Sequence, residues 1–206
     1  MAENTLARPR ITDHSLTRQL LAQIALAVAG SALVAFCAHA AIPLVFTPVP
    51  LSLAPFAVVF LGLVLGPATA LASLCLYLTE GAAGLPVFSP LGPGGILQLL
   101  GPTGGYLLSY PIAAALAGYL YHRRRRSLAL GIFSAGTASA VILLVGATWL
   151  KVLTHMDIRL IFDQAVLPFL PGDVLKVFAA AGAAKLVDVI WLRHQLKEFL
   201  SRQHEL

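Results

Sequence analysis

Charged residues are scarce in this sequence: Asp, Glu, Lys and Arg together make up 11% of the 206 residues. Soluble domains carry roughly a quarter charged residues. Residues of the apolar set AVILMFWYC reach 58%, and the mean hydropathy is +0.84. The composition therefore excludes an ordinary soluble domain and indicates a membrane protein. Six apolar helices of ~20 residues would use most of the chain, which leaves no room for a separate catalytic or ATP-hydrolysing domain.

Motifs of common catalytic and nucleotide-binding sites are also missing. The sequence contains neither HExxH nor GxSxG, and its histidines are isolated near span ends or lie in tails and basic loops. The glycine-rich stretch at residues 101–105 lacks the lysine of a P-loop. The two cysteines, Cys37 and Cys75, lie in apolar runs, so a disulfide framework is not expected. We therefore predict no catalytic residue, no cofactor and no metal site.

The apolar runs predict an all-α membrane protein with six transmembrane helices, because they are continuously apolar and do not alternate as the strands of a barrel do. We place the spans near residues 19–40, 51–66, 68–80, 103–122, 127–150 and 171–193. Gly66-Pro67, between the second and third runs, predicts a tight helical hairpin. Residues 19–193 then form the membrane domain, flanked by tails at residues 1–18 and 194–206.

The distribution of basic residues predicts the orientation of the chain. With six spans, the four-arginine run at residues 123–126 falls on the same side as both basic tails, whereas Lys151 and Arg159 fall on the other side. Because cytoplasmic loops carry the excess of Lys and Arg, both termini are predicted to be cytoplasmic, in a bacterial cytoplasmic membrane. The net charge of +5 then reflects anchoring at an anionic leaflet of the lipid bilayer and not binding to nucleic acid.

The segment at residues 81–105 is unusual for a simple connector, because it contains eight glycines and four prolines. Such a composition interrupts helices. Non-helical backbone at membrane depth survives only where protein or a watery cavity satisfies its polar groups. We therefore expect an ordered extracellular loop, which is either wholly external or a lid over a pocket.

Asp173 and Lys176 are the clearest candidates for chemistry, because charged residues are expensive in a bilayer. Pro171-Gly172 fits a helix start, and the i,i+3 spacing puts both side chains on one face of the first turn. They are either a donor and acceptor pair for a polar ligand or a helix cap plus a lysine that snorkels to the interface. Lys185 and Asp188 repeat the spacing, and we predict that they pair with each other.

The first span is rich in small residues, which allow helices to approach closely in lipid. Ala22, Ala25, Ala29 and Ala32 form one arc, and Ala27, Gly30, Ser31 and Ala38 lie around the opposite side. Internal packing explains one of these arcs. The other is available for a partner protein, and we assign Ala25 and Ala29 to that contact.

Three motifs give the chain a resemblance to a known family. They are Gly84-Leu85-Pro86-Val87-Phe88, Gly101-Pro102-Thr103-Gly104-Gly105-Tyr106 and Pro171-Gly172-Asp173-Val174-Leu175-Lys176. In this order and at this spacing, the chain resembles the BioY family, the biotin-binding S components of energy-coupling-factor (ECF) transporters. The resemblance covers about residues 20–190.

The resemblance implies a six-helix subunit that captures biotin from the outside with high affinity. It implies partners as well, namely a transmembrane coupling protein and two cytoplasmic ATPase subunits. Asp173 and Lys176 would contact the vitamin. One departure is that family members often show Thr-Leu-Gln at the entrance to the second span, where this chain reads Leu51-Ser52-Leu53-Ala54.

The resemblance also suggests which residues surround the ligand. The glycine-rich loop that helps to cover it includes Gly94 and Gly95. Phe88, Tyr106 and Tyr110 are candidates for the apolar wall, although each ring could equally be an interfacial anchor. The nearest alternative is an S component for another vitamin. The more distant alternative is an intramembrane enzyme or a structural membrane protein.

Overall fold

The computed structural model describes residues 13–123 and 126–204, and eight helices account for most of this part of the chain. They are α1 (Asp13–His39), α2 (Ala54–Leu65), α3 (Pro67–Ala82), α4 (Gly95–Leu100), α5 (Gly104–His122), α6 (Leu128–Thr154), α7 (Ile158–Ala165) and α8 (Leu170–His204). Two short strands, β1 (Ala41–Ile42) and β2 (Leu51–Ser52), pair antiparallel. The fold class is all-α, as predicted.

Six of the helices coincide with the predicted apolar runs: α1, α2, α3, α5, α6 and α8. The boundaries differ most near the ends of the chain, where α1 already begins at Asp13 and α8 continues to His204. Both helices thus extend into the segments predicted as tails. The reason is that hydropathy marks only the apolar part of a helix, whereas its backbone hydrogen bonds continue through polar residues.

Two short helices lie in the connections at one end of the bundle, and neither was predicted. α4 lies within the glycine-rich α3–α5 connection, and α7 lies between α6 and α8. The side chain of Asp157 caps α7 by accepting a hydrogen bond from the Ile158 N–H at 2.7 Å, while Ile161 and Ala165 bury one face. A helix of this length has no long apolar run, so hydropathy does not detect it.

The surface of the bundle is apolar. Large side chains that are more than half exposed occur along the long helices, among them Leu20, Ile24, Phe36, Phe133, Leu144, Phe178, Leu186 and Ile190. Soluble monomers rarely expose so much apolar surface. Leu16–His39 and Leu128–Thr154 are each long and apolar enough to cross a bilayer, with a mean hydropathy of 2.2. These features indicate a membrane protein.

α5 is the central helix, and it packs against α2, α3 and α6. Its contact with α2 depends on glycine. A Cβ atom at Gly62 would lie 2.4 Å from the carbonyl oxygen of Ala114, and a Cβ atom at Gly118 would lie 2.7 Å from that of Gly62. The two backbones therefore touch directly. In the turn that follows α2, Gly66 has a φ of +80°, which residues with a side chain rarely adopt.

The first turn of α5 is fixed to α6 by Trp149. The indole Nε1–H donates a hydrogen bond to the carbonyl oxygen of Gly101 at 2.9 Å. A Cβ atom at Gly105 would lie 2.2 Å from the Cβ atom of Trp149, so only glycine allows α5 to begin this close to the indole. Trp149 thus anchors the end of the α3–α5 connection.

We expect Gly62→Ala to destabilise the protein, because the new methyl group would force α2 away from α5. Overpacking of this kind costs about 1–3 kcal/mol. Gly136→Ala is the matched control, since a Cβ atom there meets nothing within 4 Å. Thermal unfolding in one detergent should show a midpoint several degrees lower for Gly62→Ala only. Equal midpoints would contradict the direct backbone contact.

We expect Trp149→Phe to speed hydrogen–deuterium exchange of the backbone at residues 95–104, because the Gly101 carbonyl loses its side-chain donor. Trp191→Phe is the control, since Trp191 is 64% exposed on α8. Mass spectrometry of peptides from this segment gives the measurement. If exchange in Trp149→Phe matches that of the wild type, the indole does not anchor the connection.

Candidate functional site

A cavity opens at the end of the bundle that carries the α3–α5 connection. Helices α2, α3, α5, α6 and α8 contribute to its wall. Most of the residues that line it are apolar or aromatic, and the charged ones among them are Asp173 and Lys176. A mainly apolar wall with a few convergent polar groups is typical of a small-molecule site.

Asp173 and Lys176 form a buried ion pair in this wall. The Lys176 Nζ lies 3.1 Å from the Asp173 Oδ1, and the two side chains are only 13% and 10% exposed. The second carboxylate oxygen, Oδ2, accepts a hydrogen bond from the Ser139 hydroxyl on α6 at 3.3 Å. The lysine therefore points into the protein, which disagrees with the alternative of a side chain that snorkels to the interface.

The start of α8 explains how the sequence holds this pair. Pro171 lies in the first turn, where backbone N–H groups have no partner within the helix, so a residue that lacks an N–H is tolerated there. The Asp173 N–H donates to the Phe169 carbonyl at 2.8 Å, and the carboxylate sits at the positive end of the helix. Lys176 follows three residues later on the same face. Together the two side chains offer a ligand both acceptor oxygens and an ammonium donor.

Tyr106 and Tyr110 are both buried, and both line the cavity. The Tyr106 hydroxyl donates to the carbonyl oxygen of Ala165 at 2.8 Å, which ties the end of α7 to α5. The Tyr110 ring stacks on Tyr77, with 6.5 Å between ring centroids. The structure therefore places both predicted tyrosines in the wall, but the Tyr106 hydroxyl is already engaged by the fold.

Phe88 is buried, but it lies behind the wall and is not among the residues that line the cavity. Its ring meets Tyr77 edge-on, with 5.2 Å between centroids. A Cβ atom at Gly81 would collide with the same ring. Phe88 therefore packs the α3–α5 connection against α3, and its contact with a ligand stays a prediction.

Gly94 and Gly95 are not among the residues that line the cavity, and their contact with a ligand stays a prediction. Gly94 precedes α4 and Gly95 is its first residue, with φ angles of +70° and +59°, and both border a separate surface groove. Three residues of this segment line the cavity, namely Ser89, Thr103 and Gln98, of which Gln98 is 2% exposed. Its side-chain oxygen accepts from the Gly94 N–H at 3.1 Å, and its amide donates to the Ser89 carbonyl at 3.4 Å.

Sequence reasoning did not identify Tyr77, Gln98 and Ser139, which lie in or next to the cavity wall. All three are polar residues within apolar helices, and this was the available signal. The signal is weak, because a tyrosine or serine can satisfy its hydroxyl within its own helix. Only the packing of α3, α4 and α6 around the cavity distinguishes these residues from others of the same type.

The small residues of α1 separate into two faces. Gly30 and Ser31 are buried against α3: a Cβ atom at Gly30 would lie 2.5 Å from the Ser73 hydroxyl oxygen, and Ser31 donates a hydrogen bond to the Glu80 carboxylate. Ala25 and Ala29 are exposed on the other face. One arc thus serves internal packing, and the arc assigned to a partner faces away from the bundle.

At the opposite end of the bundle, the predicted pairing of Lys185 with Asp188 is wrong. Asp188 pairs with Arg126, at 2.8 Å between Oδ1 and Nη1, and accepts from the Tyr121 hydroxyl at 2.8 Å. Lys185 donates to the Arg126 carbonyl at 2.9 Å. Arg126 belongs to the predicted basic run, of which residues 124 and 125 lie outside the described part. Asp188 therefore pairs with an arginine from another segment and not with the lysine on its own helix.

Comparisons with known proteins agree on one family. A sequence model described as the BioY family matches residues 7–192. A probable biotin transporter BioY of Pyrococcus horikoshii is 39% identical over 133 residues, which cover 65% of this chain and 76% of that protein. A biotin transporter BioY of Thermotoga maritima is 34% identical over 151 residues, which cover 73% of this chain and 86% of that protein.

One solved structure has a similar fold. It is the S-component for biotin from an ECF-type ABC transporter, with a TM-score of 0.75 and 24% identity, over 83% of this chain and 93% of that chain. At this level of sequence identity, the similarity shows the fold alone. The family match, in contrast, covers most of the sequence, including the motifs around Asp173 and Lys176. The chain therefore belongs to the BioY family.

Proposed function

We propose that this protein captures biotin with high affinity from outside the cell and delivers it across the cytoplasmic membrane, as the substrate-binding subunit of an ECF-type transporter. The observation that carries the proposal is the buried Asp173–Lys176 pair in the wall of an apolar cavity. Relatives that are 34% and 39% identical are named biotin transporters. As a member of this family, the protein is a transport component and not an enzyme.

The chemistry of biotin matches the cavity. Its ureido group has two N–H donors and one carbonyl acceptor, so Asp173 can accept from the ring while Lys176 donates to the ureido oxygen. The ureido group presents a donor to Asp173 and an acceptor to Lys176 at once, which favours this end of biotin at the ion pair. The fused rings of biotin are otherwise apolar, and Leu107, Ile142 and Phe169 supply an apolar surface for them.

Helices α1, α2, α3, α5, α6 and α8 cross the membrane in this proposal. Residues 19–193 form the membrane domain, with residues 1–18 and 194–206 in the cytoplasm. The network of Arg126 and Lys185 then lies at the cytoplasmic face, where basic residues are favoured. The cavity lies at the other end of the bundle and opens to the outside, beneath the α3–α5 connection.

Delivery of biotin to the cytoplasm requires energy and a second opening, which we assign to partner proteins. These are a transmembrane coupling protein and two cytoplasmic ATPase subunits. Ala25 and Ala29 lie on the exposed face of α1, and their small side chains allow a partner helix to approach closely. We propose this face as the contact with the coupling protein.

We expect Lys176→Met to weaken biotin binding roughly 10- to 150-fold, because a hydrogen bond to a charged group contributes about 1.5–3 kcal/mol. Lys151→Met is the matched control, since Lys151 is an exposed lysine at the end of α6. Equilibrium binding of radiolabelled biotin to the full chain in nanodiscs measures both variants. The control should bind as the wild type does.

Three results would count against this proposal. If the wild-type protein does not bind biotin, or if thiamine or riboflavin displaces biotin at equal concentration, the proposed substrate is wrong. If Lys176→Met binds biotin as tightly as the wild type, Lys176 is not part of the site. A thermal-shift measurement on each variant verifies that it is folded.

A further inference from the structure

Tyr77 on α3 has a polar atom that the fold leaves without a partner. Its side chain is 0% exposed and contributes to the wall of the cavity. Among the described residues, nothing forms a hydrogen bond with its hydroxyl. The large majority of buried side-chain polar atoms in proteins have a hydrogen-bond partner, so this hydroxyl requires an explanation.

The packing of the Tyr77 ring does not explain the hydroxyl. The ring meets Phe88 edge-on and stacks on Tyr110, with 5.2 Å and 6.5 Å between centroids. Both contacts use only the aromatic ring, and phenylalanine would make them equally well. A buried hydroxyl without a hydrogen bond is less favourable than the apolar ring alone.

Other buried tyrosines of this protein show that the fold can satisfy such hydroxyls. The Tyr106 hydroxyl donates to the Ala165 carbonyl, and the Tyr121 hydroxyl donates to Asp188, each at 2.8 Å. Tyr77 lines the cavity as Tyr106 does, but its hydroxyl lacks such a contact. Its partner is therefore expected to enter the cavity with a ligand.

Tyr77 and the ion pair belong to different helices of the cavity wall, α3 and α8. α3 packs against α1 and α5, whereas α8 packs against α2 and α6. We propose that Tyr77 is a further ligand-binding residue, whose hydroxyl hydrogen-bonds a polar group of the bound small molecule away from Asp173 and Lys176. The inference rests on the proposed function only in taking biotin as that molecule. Biotin fits, because it carries polar groups at both ends.

The test compares Tyr77→Phe with the wild type, using radiolabelled biotin and the full chain in nanodiscs. The expected result is a roughly tenfold weaker affinity for biotin. The thermal midpoint of the biotin-free variant should be equal to or higher than that of the wild type, because an unsatisfied hydroxyl has been removed. Tyr119→Phe is the control, since Tyr119 is 47% exposed and its ring lies under the Arg123 guanidinium.

Two results overturn the inference while the wild type still binds biotin. One is equal affinity in Tyr77→Phe and the wild type. The other is a lower midpoint for biotin-free Tyr77→Phe, which would show that the hydroxyl already has a partner in the free protein. Failure of the wild type itself to bind biotin is a separate result, which contradicts the proposed function and this inference with it.

Discussion

The buried ion pair of Asp173 and Lys176 is the constraint around which the rest of the structure is arranged. Either charge alone would be costly at this depth, and removal of one partner from a buried pair costs about 3–5 kcal/mol. Replacement of both partners by apolar residues is often neutral or stabilising. Stability therefore does not explain why a largely apolar cavity keeps two charges. We propose that recognition of a polar ligand explains it.

Contacts around the cavity fix the segments that form its mouth. Trp149 fixes the start of α5, and the Tyr106 hydroxyl ties the end of α7 to the same helix. Phe88 packs the α3–α5 connection on Tyr77 of α3, and Gln98 makes hydrogen bonds to Gly94 and Ser89 within the connection itself. Together these hydrogen bonds and ring contacts fix the backbone segments that carry the wall residues. Such preorganisation lowers the ordering cost of binding.

The parts of the structure that could be predicted from sequence are those that depend on local patterns. The long helices follow from continuous apolar runs, and Asp173 and Lys176 stand out because charge is rare there and their spacing fits one helical face. The parts that were missed depend on contacts across the fold. Asp188 pairs with an arginine 62 residues away, and no sequence pattern indicates which residues of these two segments lie opposite each other.

The α3–α5 connection shows the same limit. Its glycines and prolines predict an interrupted helix, but they do not predict which side chains turn inward. Gln98 reaches the cavity because α4 presents it there, while Gly94 and Gly95 serve the turn and Phe88 packs on α3. Tyr77 is detectable only after folding, since its unpaired hydroxyl is a property of the packed core.

The most direct measurement replaces both members of the ion pair at once, as Asp173→Leu with Lys176→Met, and records thermal stability and biotin binding on the same preparation. We predict a thermal midpoint at or above that of the wild type together with loss of biotin binding. Retained biotin binding, or a folded state that is lost with the pair, would contradict the claim that these two charges are kept for the ligand.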